Sequence, residues 1–248
     1  MIYQLTVSPD FAPARIPGWF IFNSWLQRQL GERIHLEIPD NFERHREAIA
    51  RDAVDLIYAN PFDAAELVRN KGFRAVARQH GKSDEAAIVV CADSPLQTIE
   101  DLAPGVRVAV TDGPDVNLMC MMMIEPANLN AENIVRVPCD GYVPMAKALL
   151  NRTADVGFFL QDAFTSLSAA VRQQLRPLVT SQISVIQHVL LVGPKLQPRY
   201  DALCNALSVM HEDSKGREVL DSLGFARWEL MEQEDVEFMI DLMDTLQS

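Results

Sequence analysis

Apolar residues recur along this chain with two periods, and the two alternate. Residues 3–7 read as a strand. After a Pro-containing loop over 8–17, Trp19, Phe20, Phe22, Trp25, Leu26 and Leu30 recur at helical spacing up to Gly31. Residues 33–38 alternate as a second strand and 42–52 form an amphipathic helix. Val54-Asp55-Leu56-Ile57-Tyr58 is then a short apolar strand that stops at Asn60-Pro61, where a helical pattern begins and runs to Lys71-Gly72. A strand passing straight into a helix is the βα unit of a parallel sheet.

The pattern continues with strands over 73–78, 86–91, 106–111, 134–137 and 156–159. Helices are expected over 94–102, 118–124 and 141–150, and another begins at Asp162. Residues 184–192, rich in β-branched residues and Leu, read as one long strand. The remainder is helical over 198–210, 214–223 and 233–246, with 225–230 extended. This describes an α/β protein of two lobes, each a doubly wound sheet, with the second inserted into the first. The expected division is 1–86 with 190–248 against 87–189. The two extended crossings fall near 86–91 and 184–192, and a ligand cleft lies between the lobes.

Ligands in open α/β sheets sit beyond the carboxyl ends of strands, beside helix N-termini. On that rule the first lobe offers Tyr58 and Asn60, with Phe11 and Ala12 from the loop after the first strand. The second lobe offers Asp112, Asp115 and Asn117, then Asp140 and Tyr142, then Gln161 and Asp162. Each polar member has a plain alternative as a helix cap. Truncation of Tyr58 to Ala is expected to weaken ligand binding while leaving the fold intact. His188 falls on the return crossing, where a core or hinge hydrogen bond is the expected role.

Charge and composition narrow the function classes. The 248 residues carry 22 Lys and Arg against 34 Asp and Glu, a net charge of −12, which argues against nucleic-acid partners and anionic membranes. No apolar run is long enough to span a membrane, so no membrane insertion is expected. The start has neither a basic segment nor an apolar stretch of signal-peptide length. The expectation is therefore a cytoplasmic protein as written, or a periplasmic one if a leader was removed. Cys91, Cys120, Cys139 and Cys204 form no CxxC pair and read as free thiols. The run Leu118-Met119-Cys120-Met121-Met122-Met123 points all round a helix, which suits packing and not a metal site. No cofactor, metal site or catalytic motif is found, so a non-enzymatic role is expected.

Three segments carry a family resemblance. They are residues 54–61 with 72–77, residues 91–102 with 106–110, and residues 146–157. Together they resemble the substrate-binding proteins of phosphate, phosphite and phosphonate ABC transporters, a branch of the type II periplasmic-binding-protein fold. The resemblance implies a small-molecule ligand and an ABC transporter permease as partner. Alternatives on the same fold are a cytosolic sensor read by a signalling protein, or a small-molecule biosynthetic enzyme. In the family a Ser/Thr-rich turn holds the oxyanion at the helix start. Here that place reads Thr111-Asp112-Gly113-Pro114-Asp115-Val116-Asn117, with two carboxylates and a proline that lacks an N–H. Phosphate and simple phosphonates are therefore expected to bind weakly.

Overall fold

The computed structural model describes residues 2–11 and 13–247, the side chain of Gln247 excepted; Ala12 lies outside the described residues. The chain runs β1 (Ile2–Val7), α1 (Ile16–Leu30), β2 (Arg33–Glu37), α2 (Phe42–Ala50), β3 (Leu56–Ala59), α3 (Pro61–Lys71) and β4 (Arg74–Gln79). It continues with β5 (Ala86–Cys91), β6 (Arg107–Val110), α4 (Pro114–Ile124), β7 (Val135–Pro138), α5 (Tyr142–Leu150) and β8 (Val156–Leu160). Next come α6 (Gln161–Thr165), α7 (Ala169–Arg172), β9 (Leu175–Thr180) and β10 (Val189–Val192). The chain closes with α8 (Tyr200–Val209), α9 (Ser214–Leu223), β11 (Trp228–Leu230) and α10 (Gln233–Gln247).

The protein is α/β and divides into two compact units, Met1–Ser83 with Ile186–Asp244, and Asp84–Val185 with Thr245–Ser248. The sequence expectation set the divisions at 86/87 and 189/190. The two units divide at 83/84 and 185/186, and Ala86, expected in the first lobe, pairs with Leu160 in the second sheet.

The first unit holds a six-stranded sheet in the order β11-β4-β10-β3-β1-β2. β1, β2 and β3 are parallel, whereas β10 runs antiparallel to both β3 and β4. Side chains alternate across β3 and bury on opposite faces. Leu56 and Tyr58 join Trp19, Phe22 and Leu26 of α1, Leu203 and Leu207 of α8, and Leu220 of α9. Ile57 and Ala59 join Ile49 of α2, Leu67 of α3, and Met239 and Ile240 of α10. Helices thus cover both faces, which is why β3 is apolar throughout.

The second unit holds a five-stranded sheet in the order β7-β6-β8-β5-β9. β6, β7 and β8 are parallel, and β5 is antiparallel to β8 and β9. The Met-rich α4 packs on β5 and β8, with Met119 and Cys120 fully enclosed.

Four expectations need correction. Of 94–102, expected as a helix, only Ile99–Asp101 coils, as a short 3₁₀ turn. Residues 86–91 are not a crossing: they form β5, buried at every position between β8 and β9. Of 184–192, only Val189–Val192 is a strand. Ser184 takes a left-handed φ of 61°, and the amides of Ile183 and Ser184 donate to the Glu85 carboxylate (3.1 and 2.8 Å) instead of to a ladder. β9 was not expected at all. Pro177 masks it in the sequence, and the strand tolerates that proline because it lies at the sheet edge beside a register shift.

Candidate functional site

In the first unit the carboxyl ends of β1 and β3 and the amino end of β10 share one edge, since Val7 aligns with Tyr58 and Ala59 with Val189. Ser8, Asp10, Tyr58, Asn60 and His188 stand there, all buried. Asn60 caps α3. Its Oδ1 accepts from the Asp63 amide (2.8 Å), and its Nδ2 donates to Ser8 Oγ (3.0 Å) and Asp63 Oδ2 (2.8 Å). Its oxygen and both N–H groups are thus used inside the unit, and the capping role is the one the structure displays.

Asp63 also faces α2. Arg46 Nε lies 3.3 Å from Asp63 Oδ1, and His45 Nε2 lies 3.4 Å from Asp63 Oδ2. Burial pushes the His45 imidazole below its ordinary pKa, more strongly than the Asp63 and Asp10 carboxylates pull it up. Arg46 is further held over the rings of Phe42 and Phe62, each at 5.3 Å.

Asp10 Oδ1 pairs with His188 Nε2 at 2.9 Å. Burial alone would raise the Asp10 pKa. The charge and hydrogen bond of His188, with hydrogen bonds from Ser8 and the Asp10 amide, outweigh it and hold the carboxyl below its usual range. Tyr58 stacks on the His188 ring at 5.3 Å and 28°, and meets Trp19 (5.0 Å), Phe225 (5.8 Å) and Trp228 (5.8 Å). With 8% of its surface exposed, Tyr58 is mainly a core ring. Phe11 is half-buried against Trp19 at 6.1 Å.

In the second unit β6 is flanked by β7 and β8, all parallel, so the turns after the three strands share one edge. The seven predicted residues of this unit fall on those turns. Asp112, Asp140 and Asp162 are exposed, and Asn117, Tyr142 and Gln161 are half-buried. Asp115, in the first turn of α4, is fully enclosed at 0% exposure. Asn117 Nδ2 donates to the Thr111 carbonyl (2.8 Å), and its Oδ1 is enclosed without a hydrogen-bond donor among the described residues. Gln161 Oε1 is likewise enclosed without a donor among them. Gly141 opens α5 at φ 152°, a backbone state that a side chain would disfavour, and Tyr142 stacks on Phe159 at 5.7 Å.

The structure therefore gathers three predicted residues on one edge of the first unit and seven on one edge of the second. Sequence reasoning missed Ser8, Asp10, His45, Arg46 and Asp63. The acidic residue three positions after Asn60 was the available signal for Asp63.

The family model described as "ABC transporter, phosphonate, periplasmic substrate-binding protein" matches residues 5–236. The chain belongs to this family. Its members are substrate-binding proteins of ABC transporters. A search of curated proteins gives no match. Among solved structures, PhnD1 from Prochlorococcus marinus, in complex with methylphosphonate, is similar at 12% identity and a TM-score of 0.84, covering 99% of this chain and 98% of that one. A binding-protein component of an ABC phosphonate transporter from Pseudomonas aeruginosa is similar at 14% identity and a TM-score of 0.80, covering 100% and 89%. The periplasmic aliphatic sulphonate binding protein SsuA from Escherichia coli follows at 14% identity and a TM-score of 0.66, covering 99% and 86%. These likenesses show the two-lobed type II periplasmic-binding-protein fold, and the family makes this a solute-binding protein. Among the described residues no helix is long and apolar enough to cross a membrane.

Proposed function

We propose that this protein binds a neutral or amine-bearing solute without chemically changing it, and hands it to an ABC transporter permease. The family is periplasmic, and the same compartment is proposed here. Solute contacts are assigned to the half-buried and exposed positions of each carboxyl edge: Phe11 in the first unit, and Asp112, Asn117, Asp140, Tyr142, Gln161 and Asp162 in the second. Asn60, Tyr58 and Asp115 stand behind them.

One observation carries the ligand class: the turns at this edge hold three exposed carboxylates, Asp112, Asp140 and Asp162, together with Pro114 at the start of α4. An ionised carboxylate about 5 Å from an anionic solute repels it by about 3 kcal/mol per unit charge at an effective dielectric near 20. The helix end returns only about 0.3–2 kcal/mol. Pro114 removes one of the amides that would face an anion. None of the turns 111–117, 139–142 and 160–162 contains a Lys or Arg that would offset these carboxylates.

Calorimetric titration tests this with phosphate, phosphite, methylphosphonate and 2-aminoethylphosphonate, against ethanolamine, putrescine and ribose. The four phosphorus compounds are expected to bind with Kd above about 1 mM, less than about 4 kcal/mol. At least one of the other three is expected to raise Tm by mass action. Micromolar binding of any of the four anions would overturn the reading.

A further inference from the structure

The first sheet is covered unevenly on one of its faces. Leu5 and Val7 of β1, with Ile34 and Leu36 of β2, join the core built with α1, α8 and α9. Alternation sends Gln4 and Thr6 of β1, and His35 and Glu37 of β2, to the opposite face. The described core on that face is built on β3, β4 and β10 and contains no residue of β1 or β2. Polar side chains thus stand where a covering helix would need apolar ones. A groove of about 80 Å³ opens here, lined by β1, by the end of β2 and by Arg44 and Ala48 of α2. One water needs only about 10–15 Å³ of such space, so the groove has room for a small molecule.

The polar lining is specific. Thr6 and Glu37 are partners in the parallel ladder, so their side chains stand beside each other on this face. Thr6 is 5% exposed and lines the groove, and its hydroxyl makes no hydrogen bond among the described residues. Valine would give the strand the same branching with no polar group to satisfy. The Glu37 carboxylate and the Gln4 side-chain amide also line the groove and have no partner among the described residues. Asp40 and Arg44 complete the polar lining and offset each other in an exposed pair at 3.4 Å. The groove is left with the negative charge of Glu37. Ala48, Val54 and Pro39 add apolar wall.

We propose that this groove is a binding site for a small primary alkylammonium, separate from the solute contacts assigned above. The Glu37 carboxylate disfavours an anion. No group of three carboxylate, imidazole or thiol ligands that could hold a metal ion occurs among the described residues. A primary ammonium brings one positive charge and three N–H donors. These match the Glu37 carboxylate, the Thr6 hydroxyl and the Gln4 side-chain carbonyl as acceptors. A short carbon stem then meets the apolar wall.

The test follows backbone amide resonances of the full chain during titration with ethanolamine and with choline. It is run at pH 8, where unperturbed imidazoles are neutral. The two compounds share charge, hydroxyl and two-carbon stem, and choline has no N–H. Ethanolamine is expected to move the Thr6, Glu37 and Arg44 amides in a saturating way, with a Kd of about 1–10 mM for so small a ligand. Choline is expected to bind there at least about tenfold more weakly. Glu37→Gln, at an exposed position, should weaken ethanolamine binding about tenfold. Thr6→Val should weaken it about three- to tenfold. The same variant should keep Tm within about 2 °C of the wild type, because the hydroxyl serves no bond within the fold.

The proposal is overturned by unmoved groove amides, by equal binding of choline, or by unchanged affinity in both variants. A larger drop in Tm for Thr6→Val would assign the hydroxyl to the fold and overturn it as well. Shifts of amides in the turns 111–117, 139–142 and 160–162 report on the solute reading instead, so each idea fails or stands on its own set of resonances.

Discussion

Asp55 and Asp155 do the same work in the two sheets. Asp55 precedes β3, its carboxylate accepts from the Gln4 amide of β1 (2.9 Å), and its own amide donates to the Gln4 carbonyl (2.9 Å). Asp155 precedes β8, its carboxylate accepts from the Arg107 amide of β6 (2.9 Å), and its own amide donates to the Arg107 carbonyl (2.8 Å). Each aspartate thus satisfies an amide one residue before the pairing of its two strands begins, at Leu5 with Leu56 and at Val108 with Val156. The environments differ: the Asp55 side chain is 7% exposed and lies 3.5 Å from Lys195, whereas that of Asp155 is 36% exposed and gripped by the Arg107 guanidinium.

Alanine at these positions should therefore rank in a fixed order. Asp55→Ala removes a carboxylate only 7% exposed, leaves the half-buried Gln4 amide without its acceptor and should cost about 1–3 kcal/mol. Asp155→Ala removes a carboxylate that is 36% exposed and whose pair with Arg107 is screened by water, and should cost about 1 kcal/mol or less. Urea unfolding of the two variants checks the order.

Tyr58 and Asn60 should report as structural residues. Tyr58→Ala removes a ring packed among Trp19, His188, Phe225 and Trp228, and should destabilise the protein by about 3–5 kcal/mol. The sequence-based expectation for this variant is weaker ligand binding without unfolding, and the packing adds a loss of stability to it. Asn60→Ala loses the cap and leaves Ser8 and Asp63 short of a donor, at about 2–4 kcal/mol. Denaturant midpoints at constant m-value check both.

Gly18 is where α1 meets α9. A Cβ added there would stand 2.4 Å from the Ser222 carbonyl oxygen, a backbone atom that cannot swing aside. Helix propensity alone would favour Gly18→Ala by about 1 kcal/mol. The clash should reverse the sign and leave a net loss of about 1–3 kcal/mol. Thermal unfolding against the wild type decides between the two effects.

Stability should fall on mild acidification because of His45. Its folded-state pKa is depressed by burial, so the unfolded chain takes up the proton first. Stability is then lost as pH drops below about 6.5, with a slope of up to about 1.4 kcal/mol per pH unit, until the folded-state pKa is reached. Asp10, whose pKa is also lowered, gives a separate loss only below the ordinary carboxylate range. Denaturation series from pH 7.5 to 5 on wild type and His45→Gln should show a slope that flattens in the variant.

The sequence by itself determined the order of elements and most of their limits, because period, caps and breakers act within a few residues. Asn60-Pro61 starts α3, Lys71-Gly72 ends it, and short continuous apolar runs mark β3 and β8 without reference to anything distant. It also placed the strand-end turns that carry the second unit's candidate residues, since parallel strands put successive turns on one edge. Tertiary structure alone decided which of those residues face outward. Tyr58 is enclosed by rings from positions 19, 188, 225 and 228, and Asp10 meets His188 across 178 residues of sequence. β9 and the course of 184–188 were likewise settled by partners elsewhere in the chain: β5 accepts the edge strand despite Pro177, and Glu85 takes the amides of Ile183 and Ser184. Burial and pairing depend on contacts between distant segments, and local periodicity carries no record of them.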